Sequence, residues 1–215
     1  MIDSYKHKGL REKLTNEIKK KGISDERILN AINKIPRHFF LNSSFLEFAY
    51  QDKPFPIGAG QTISQPYTVA FQTQLLKIKK GDKILEIGTG SGYQTCILLE
   101  MGAKVWTIER QKSLYQKTKK FLPTIGYNPK MFYGDGYKGL PAYAPFDKII
   151  VTAGAPYIAE PLIKQLKING ILVIPVGDTN TQIMTTILKT SDTKYKKTEH
   201  GTFIFVPMIE NRTQD

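Results

Sequence analysis

One stretch constrains this chain more than any other: the apolar run at 83–87 leads directly into Gly88-Thr89-Gly90-Ser91-Gly92, and a helical pattern opens at Tyr93. A strand, a glycine-rich turn and a helix start bring bare backbone close to a ligand, because glycine has no Cβ and a helix N-terminus offers free N–H groups. The spacing narrows the ligand. A dinucleotide fingerprint needs a third glycine where Tyr93 stands, and the Lys-Ser/Thr pair of a phosphate-cradling loop is missing.

The rest of the chain predicts a matching frame. Strands at 83–87, 104–108, 131–133, 148–152 and 170–176 alternate with helices at 93–101, 112–125 and 159–166. That alternation predicts an α/β fold with a doubly wound, mostly parallel sheet covered on both faces. Runs at 182–189 and 202–206 have no long helix between them, so they read as an antiparallel pair at one edge of the sheet. Ahead of the core, Leu10, Leu14 and Ile18, then Ile28, Leu29 and Ile32, repeat at helical spacing, with a break at Lys21-Gly22. Ser24 is the expected cap of the second helix and Pro36 its end. Residues 37–64 read as an irregular functional loop, and 65–76 as a further helix. The expected organisation is one domain over 1–215: an N-terminal helical or lid extension to 64, a ligand-binding core at 81–177, and C-terminal strands from 178.

Three acidic positions accompany the glycine loop. Glu86 precedes its first glycine, Glu109 closes the second strand, and Asp135 stands in Gly134-Asp135-Gly136 after the third. A carboxylate ending the second strand is placed to accept both hydroxyls of a ribose. Asp135 could accept from an adenine amino group, and Glu86 would suit a cationic centre. A nucleoside that carries a cation and no phosphate fits this set, and S-adenosylmethionine is such a ligand. Taken singly, Glu109 beside Arg110 could be a solvated pair and Asp135 a plain turn former.

Composition excludes several classes. The 215 residues carry 40% hydrophobic and 23% charged residues, with no apolar run long enough to cross a bilayer. The polar, Lys-rich start predicts no signal peptide, and the default expectation is a cytoplasmic protein. A lone cysteine, Cys96, allows no internal disulfide and builds no metal site by itself. It reads as core, as does Trp106. The net charge of +12 raises the question of nucleic acid, but the lysines are scattered over element ends and polar helix faces. A solvated surface is the expectation.

Beyond these features the sequence resembles the protein-L-isoaspartate (D-aspartate) O-methyltransferase family over nearly its whole length. The matching segments include Pro54-Phe55-Pro56-Ile57-Gly58, Gln61-Thr62-Ile63-Ser64-Gln65-Pro66-Tyr67 and the glycine loop with its flanks. They continue through Thr107-Ile108-Glu109-Arg110, Gly134-Asp135-Gly136, Val151-Thr152-Ala153 and Ile174-Pro175-Val176-Gly177 to Phe205-Val206-Pro207. The glycine loop is common to many methyltransferases, whereas Gln-Thr-Ile-Ser-Gln-Pro is particular to this family. The resemblance implies a Rossmann-like class I methyltransferase that uses S-adenosyl-L-methionine, with isoaspartyl proteins and peptides as partners, acting as a monomer without metal. It implies that Ser64 is the active-site residue, with Gln61, Thr62 and Ile63 over the cofactor. It further implies that Gly88, Gly90, Gly92, Glu86, Glu109, Asp135 and Gly136 belong to the cofactor site, and that Thr152, Val206 and Pro207 lie near the substrate peptide. The chain departs from the family pattern at Gly154, where many members carry alanine, and its tail after Pro207 is short.

The implied reaction needs little acid–base machinery. A carboxylate with a pKa of roughly 3 to 4 is already ionised near neutrality, so methylating it requires alignment more than a base. His7, His38 and His200 all lie outside the matched segments. Ser64 also has the look of a helix N-cap before Gln65-Pro66, and both roles use one hydroxyl. The aromatics Phe39, Phe40, Phe45, Phe48 and Tyr50 are expected to anchor the N-terminal helices. Two alternatives stand beside the protein carboxyl methyltransferase: one acting on nucleic acid or a small molecule, and a non-enzymatic adenosyl-binding module. An amino-methylating enzyme would usually carry an Asn/Asp-Pro-Pro-aromatic motif where this chain has Thr152-Ala153-Gly154-Ala155-Pro156.

Overall fold

The computed structural model describes residues 2–213. Helix α1 (Tyr5–Lys20) starts at Ser4, whose hydroxyl accepts the His7 N–H, and buries Arg11, Leu14, Thr15 and Ile18. Helix α2 (Glu26–Lys34) is capped by Asp25, not by Ser24: the Asp25 carboxylate accepts the Arg27 N–H at 3.0 Å. The Ser24 N–H is instead held by the Gln74 side chain. Pro36 forces Ile35 into extended backbone, which stops α2 at Lys34.

The stretch at 37–64 is more ordered than its sequence predicts. It holds two 3-10 turns (Arg37–Phe40 and Ser43–Phe48) and an antiparallel hairpin of β1 (Phe55–Gly58) and β2 (Gln61–Ile63). Phe40 packs edge-on against Tyr93 and Phe121, and Tyr50 is buried beneath Arg11. Phe48 is exposed. Helix α3 (Pro66–Leu76) follows, with proline at its first position, where no N–H is lost from the ladder.

The core alternates as expected: β3 (Lys83–Ile87), α4 (Tyr93–Glu100), β4 (Lys104–Glu109), α5 (Lys112–Thr124), β5 (Lys130–Tyr133), β6 (Phe146–Val151), α6 (Glu160–Lys164) and β7 (Leu166–Gly177). Two further strands, β8 (Gln182–Lys189) and β9 (Tyr195–Phe203), complete a seven-stranded sheet of order β5-β4-β3-β6-β7-β8-β9. The five strands from β5 to β7 are parallel; β8 and β9 form the antiparallel edge. Strand alternation divides β3 between two apolar clusters. Ile84 joins Cys96, Val105 and the α1 and α2 residues Leu14, Ile18, Ile28 and Ile32, whereas Leu85 and Ile87 join Trp106, Phe146 and Leu172.

The boundaries that differ most from expectation are those of α6 with β7, and of β9. Helix α6 is shorter because Leu166 already pairs with Phe146 as the start of β7. The last strand lies at Tyr195–Phe203, seven residues earlier than its apolar pattern suggests at its start. Most of its residues are exposed, so polar side chains on both faces hide it from hydropathy, and Phe205-Val206-Pro207 lie beyond it, with Pro207 bridged to Gly154.

Candidate active site

The chain runs from β3 through β4 to β5 on one side, and β6 and β7 lie on the other. A sheet that reverses its winding in this way opens a crevice at the carboxyl ends of its strands. The cavity lies there, about 800 Å³ with its open mouth included. Ile87 and Gly88 line it from β3, Ile108, Glu109 and Arg110 from β4, and Thr152 and Ala153 from the end of β6. Two segments outside the parallel core close over it: Gln61 to Ser64 from the hairpin, and Val206 to Ile209 after β9.

Glycine is required at 88 by what faces it. Its φ is +96°, and a Cβ would stand 2.5 Å from the Thr152 hydroxyl, which donates to the Gly88 carbonyl at 2.7 Å. Gly92 has a different task. A Cβ there would meet Leu122 and Thr118 on α5 at 2.8 to 3.0 Å, so this glycine lets α4 and α5 approach and does not line the cavity.

Glu109 is 4% exposed. One carboxylate oxygen accepts the Gly90 N–H at 2.8 Å and the other accepts the Gln111 N–H at 2.8 Å. Burial raises its pKa, and these backbone donors oppose the rise. Each oxygen keeps a lone pair for a hydroxyl in the cavity. A buried acceptor pair beside bare glycine backbone fits the ribose of an adenosyl ligand and repels a phosphate.

Ser64 is not a cap. Gln65 occupies the N-cap position of α3, and the Ser64 hydroxyl has no hydrogen-bond partner among the described residues, although the side chain lines the cavity. Across the cavity the C-terminal segment is fastened to Gly154: the Gly154 N–H donates to the Val206 carbonyl at 2.9 Å, and the Met208 N–H to the Gly154 carbonyl at 2.7 Å.

Comparison with known proteins decides the family. Residues 9–213 match the protein-L-isoaspartate(D-aspartate) O-methyltransferase family. The chain belongs to this family. It is 60% identical to the protein-L-isoaspartate O-methyltransferase of Christiangramia forsetii and 61% identical to that of Flavobacterium psychrophilum, each match covering 99% of this chain and 100% of the relative. A solved protein-L-isoaspartate O-methyltransferase superposes with a TM-score of 0.84 at 30% identity, over 94% of this chain and 66% of the other. A Plasmodium falciparum structure, described as a candidate member in complex with S-adenosyl-L-homocysteine, gives 0.80 at 27% identity, over 94% and 99% of the two chains.

Of the positions the family pattern points to, Gln61, Thr62, Ile63, Ser64, Gly88, Gly90, Glu109, Gly136, Thr152, Val206 and Pro207 share the one cavity. Three do not line it. Glu86 is wholly buried on the α4 side of β3, in step with Ile84; it accepts the Thr95 hydroxyl at 2.5 Å, and burial pushes its carboxyl up to about 7. Its second oxygen has no partner among the described residues. The expectation that Glu86 faces a cationic ligand is therefore corrected: alternation along the strand turns it away. Gly92 packs on α5, as above. Asp135 caps the short turn Gly136–Lys138, its carboxylate accepting the Tyr137 N–H at 2.9 Å, while Gly136 itself reaches the cavity.

The sequence missed the apolar floor of Ile87 and Ile108 and the rim of Met208 and Ile209. A signal for the floor existed, since both residues end apolar strands beside named site positions. The rim had none. The segment after Pro207 returns to the site: the Arg110 guanidinium donates to the Asn211 carbonyl at 2.9 Å. No histidine lines the cavity. His7 and His38 stack at 3.8 Å beside Asp3, near the N-terminus, and Arg11 grips both oxygens of that Asp3 at 2.6 and 2.8 Å.

Proposed function

We propose that this chain transfers a methyl group from S-adenosylmethionine to the free carboxylate of L-isoaspartyl residues in proteins, opening the route back through a succinimide. The observation that carries this reading is that one cavity holds both the buried acceptor Glu109 and Ser64, whose hydroxyl has no partner among the described residues. When bound, S-adenosylmethionine supplies an electrophilic methyl on a sulfonium. Glu109 would accept the ribose hydroxyls, and Gly88 and Gly90 would offer the ligand bare backbone. The Ser64 hydroxyl donates one hydrogen bond to the incoming carboxylate and aims an oxygen at the methyl. In-line transfer needs that oxygen within about 3 to 3.5 Å, and an ionised carboxylate needs no proton removed. Gln61 to Ser64 on one side and Val206 to Pro207 on the other exclude water. On this reading the protein works as a cytoplasmic monomer without metal; no helix among the described residues is long and apolar enough to cross a membrane.

The test is methyl transfer from labelled cofactor to an isoaspartyl peptide, its normal aspartyl counterpart and nucleic acid in parallel. Base-labile label in the isoaspartyl peptide alone is the expected outcome. Label in nucleic acid, or in both peptides equally, overturns the reading. Ser64→Ala is expected to keep stability within about 0.5 kcal/mol, since the residue caps nothing. The same substitution should slow transfer by about 10- to 100-fold, through lost alignment.

A further inference from the structure

The N-terminus of α3 presents N–H groups that need acceptors, and the nearest hydroxyl in sequence is that of Ser64. A serine in that place would ordinarily capture the N–H three residues on, which is Tyr67. Here that donor is already taken. The Asp52 carboxylate accepts the Tyr67 N–H at 2.7 Å through one oxygen. Its other oxygen accepts the Gln65 carboxamide at 3.0 Å and the Lys21 ammonium at 2.6 Å. The Asp52 side chain is only 3% exposed, so its bonds to Gln65 and Tyr67 are partly shielded from competing water, whereas the Lys21 bond lies at the surface.

The same short segment holds the other flank of Ser64. Three residues after Asp52, Phe55 pairs with Ile63 in the β1–β2 hairpin. Ser64 is therefore fixed between Ile63, paired to Phe55, and Gln65 with Tyr67, gripped by Asp52.

We infer that Asp52 is the positioning residue for Ser64: by capping α3 in its place, it leaves the serine hydroxyl to the substrate carboxylate. The inference rests on the reading of Ser64 given above. Without Asp52, Ser64 falls back on the vacant Tyr67 N–H, the start of α3 moves by one residue, and the hydroxyl turns from the cavity. Cofactor contacts through Glu109 and the glycine loop lie on other elements and stay as they were.

The experiment measures kcat and KM for an isoaspartyl peptide, cofactor Kd and Tm in Ser64→Ala, Asp52→Ala, Asp52→Asn, Lys21→Ala and the Ser64→Ala/Asp52→Ala double variant. Asp52→Ala is expected to lower kcat by about 10- to 100-fold while cofactor Kd stays within about threefold, because alignment is lost and binding is not. The double variant should be no slower than Ser64→Ala alone, the non-additivity of two residues acting through one hydroxyl. Asp52→Asn, whose carboxamide oxygen still accepts the Tyr67 N–H, should lose less than Asp52→Ala. Lys21→Ala, which takes the ammonium from Asp52, Glu17 and the Tyr67 ring but leaves the Asp52 bonds to Gln65 and Tyr67 in place, should keep the parental kcat. A folded Asp52→Ala at the parental kcat, or losses that add in the double variant, overturns the inference. Where Asp52→Ala does not fold, an Asp52→Asn slower than Ser64→Ala, or a slow Lys21→Ala, overturns it equally. A Ser64→Ala variant at the parental rate would instead bring down the reading of Ser64 itself.

Discussion

The carboxylate of Glu109 accepts the backbone N–H of Gly90 at 2.8 Å, so the end of β4 holds the glycine loop that leaves β3. One side chain thus shapes the loop and, on the proposed reading, offers acceptors to the ligand. Its removal is felt twice.

Glu109→Gln keeps the shape and loses the charge and one acceptor. Its cofactor Kd is expected to rise by about 10- to 150-fold, the equivalent of roughly 1.5 to 3 kcal/mol for hydrogen bonds to a charged group. Calorimetry reads this directly. Unchanged affinity in a folded variant would remove Glu109 from the site.

Glu86 predicts a pH dependence of stability. Burial raises its folded carboxyl to about 7, above the unfolded range. Between those values the native state binds the extra proton, so the group's contribution is fully present below the unfolded pKa and is lost as pH rises through about 7. At roughly 1.4 kcal/mol per pH unit, the loss between about pH 4.5 and 7 amounts to about 3.5 kcal/mol at most. Glu86→Gln carries no titrating proton there. The stability gap between parent and variant should therefore shift in the variant's favour from pH 5 to pH 8, as followed by denaturant unfolding. A gap that stays constant across that range would show that Glu86 does not titrate in it.

Gly154 faces the Gln182 side chain, and a Cβ there would stand 2.8 Å from the Gln182 carboxamide carbon. That carboxamide is bound at both ends: it accepts the Phe205 N–H at 2.7 Å and donates to the Asp178 carbonyl at 2.5 Å. Gly154→Ala should therefore cost about 1 to 3 kcal/mol by overpacking and loosen the segment that carries Val206 and Pro207. A higher KM for peptide with near-parental cofactor affinity is expected. Parental KM and Tm together would mean that the carboxamide yields without consequence.

The charge of +12 makes a prediction of its own. If the lysines are solvated surface, methylation of a neutral isoaspartyl peptide should change little between low and moderate salt. Duplex binding would fall with a log–log slope of about −0.9 per phosphate contacted. Tight, salt-sensitive duplex binding that also inhibits transfer would favour a nucleic-acid substrate.

Much of this was legible without a structure because its causes are local. The glycine loop, the apolar strands and the carboxylate closing the second strand depend on neighbours within a few residues, and periodicity records such neighbours. Glu86 marks the limit: its place in the sequence is that of a site residue, and only the pleat of β3 turns it toward α4. The polar strand β9 left no apolar trace, so its boundaries came out wrong.

By itself the sequence determined the α/β order, the glycine turn after β3, the position of Glu109 and, through resemblance, the family. The tertiary structure alone decided which residue caps α3, what faces Gly154 and what closes the cavity. Asp52 and Tyr67 stand 15 positions apart, Gln182 and Phe205 23, and Arg110 and Asn211 101. A hydrogen bond across such a separation imposes no spacing on the residues between, so it leaves no period to read. It exists only once the fold has brought both partners together.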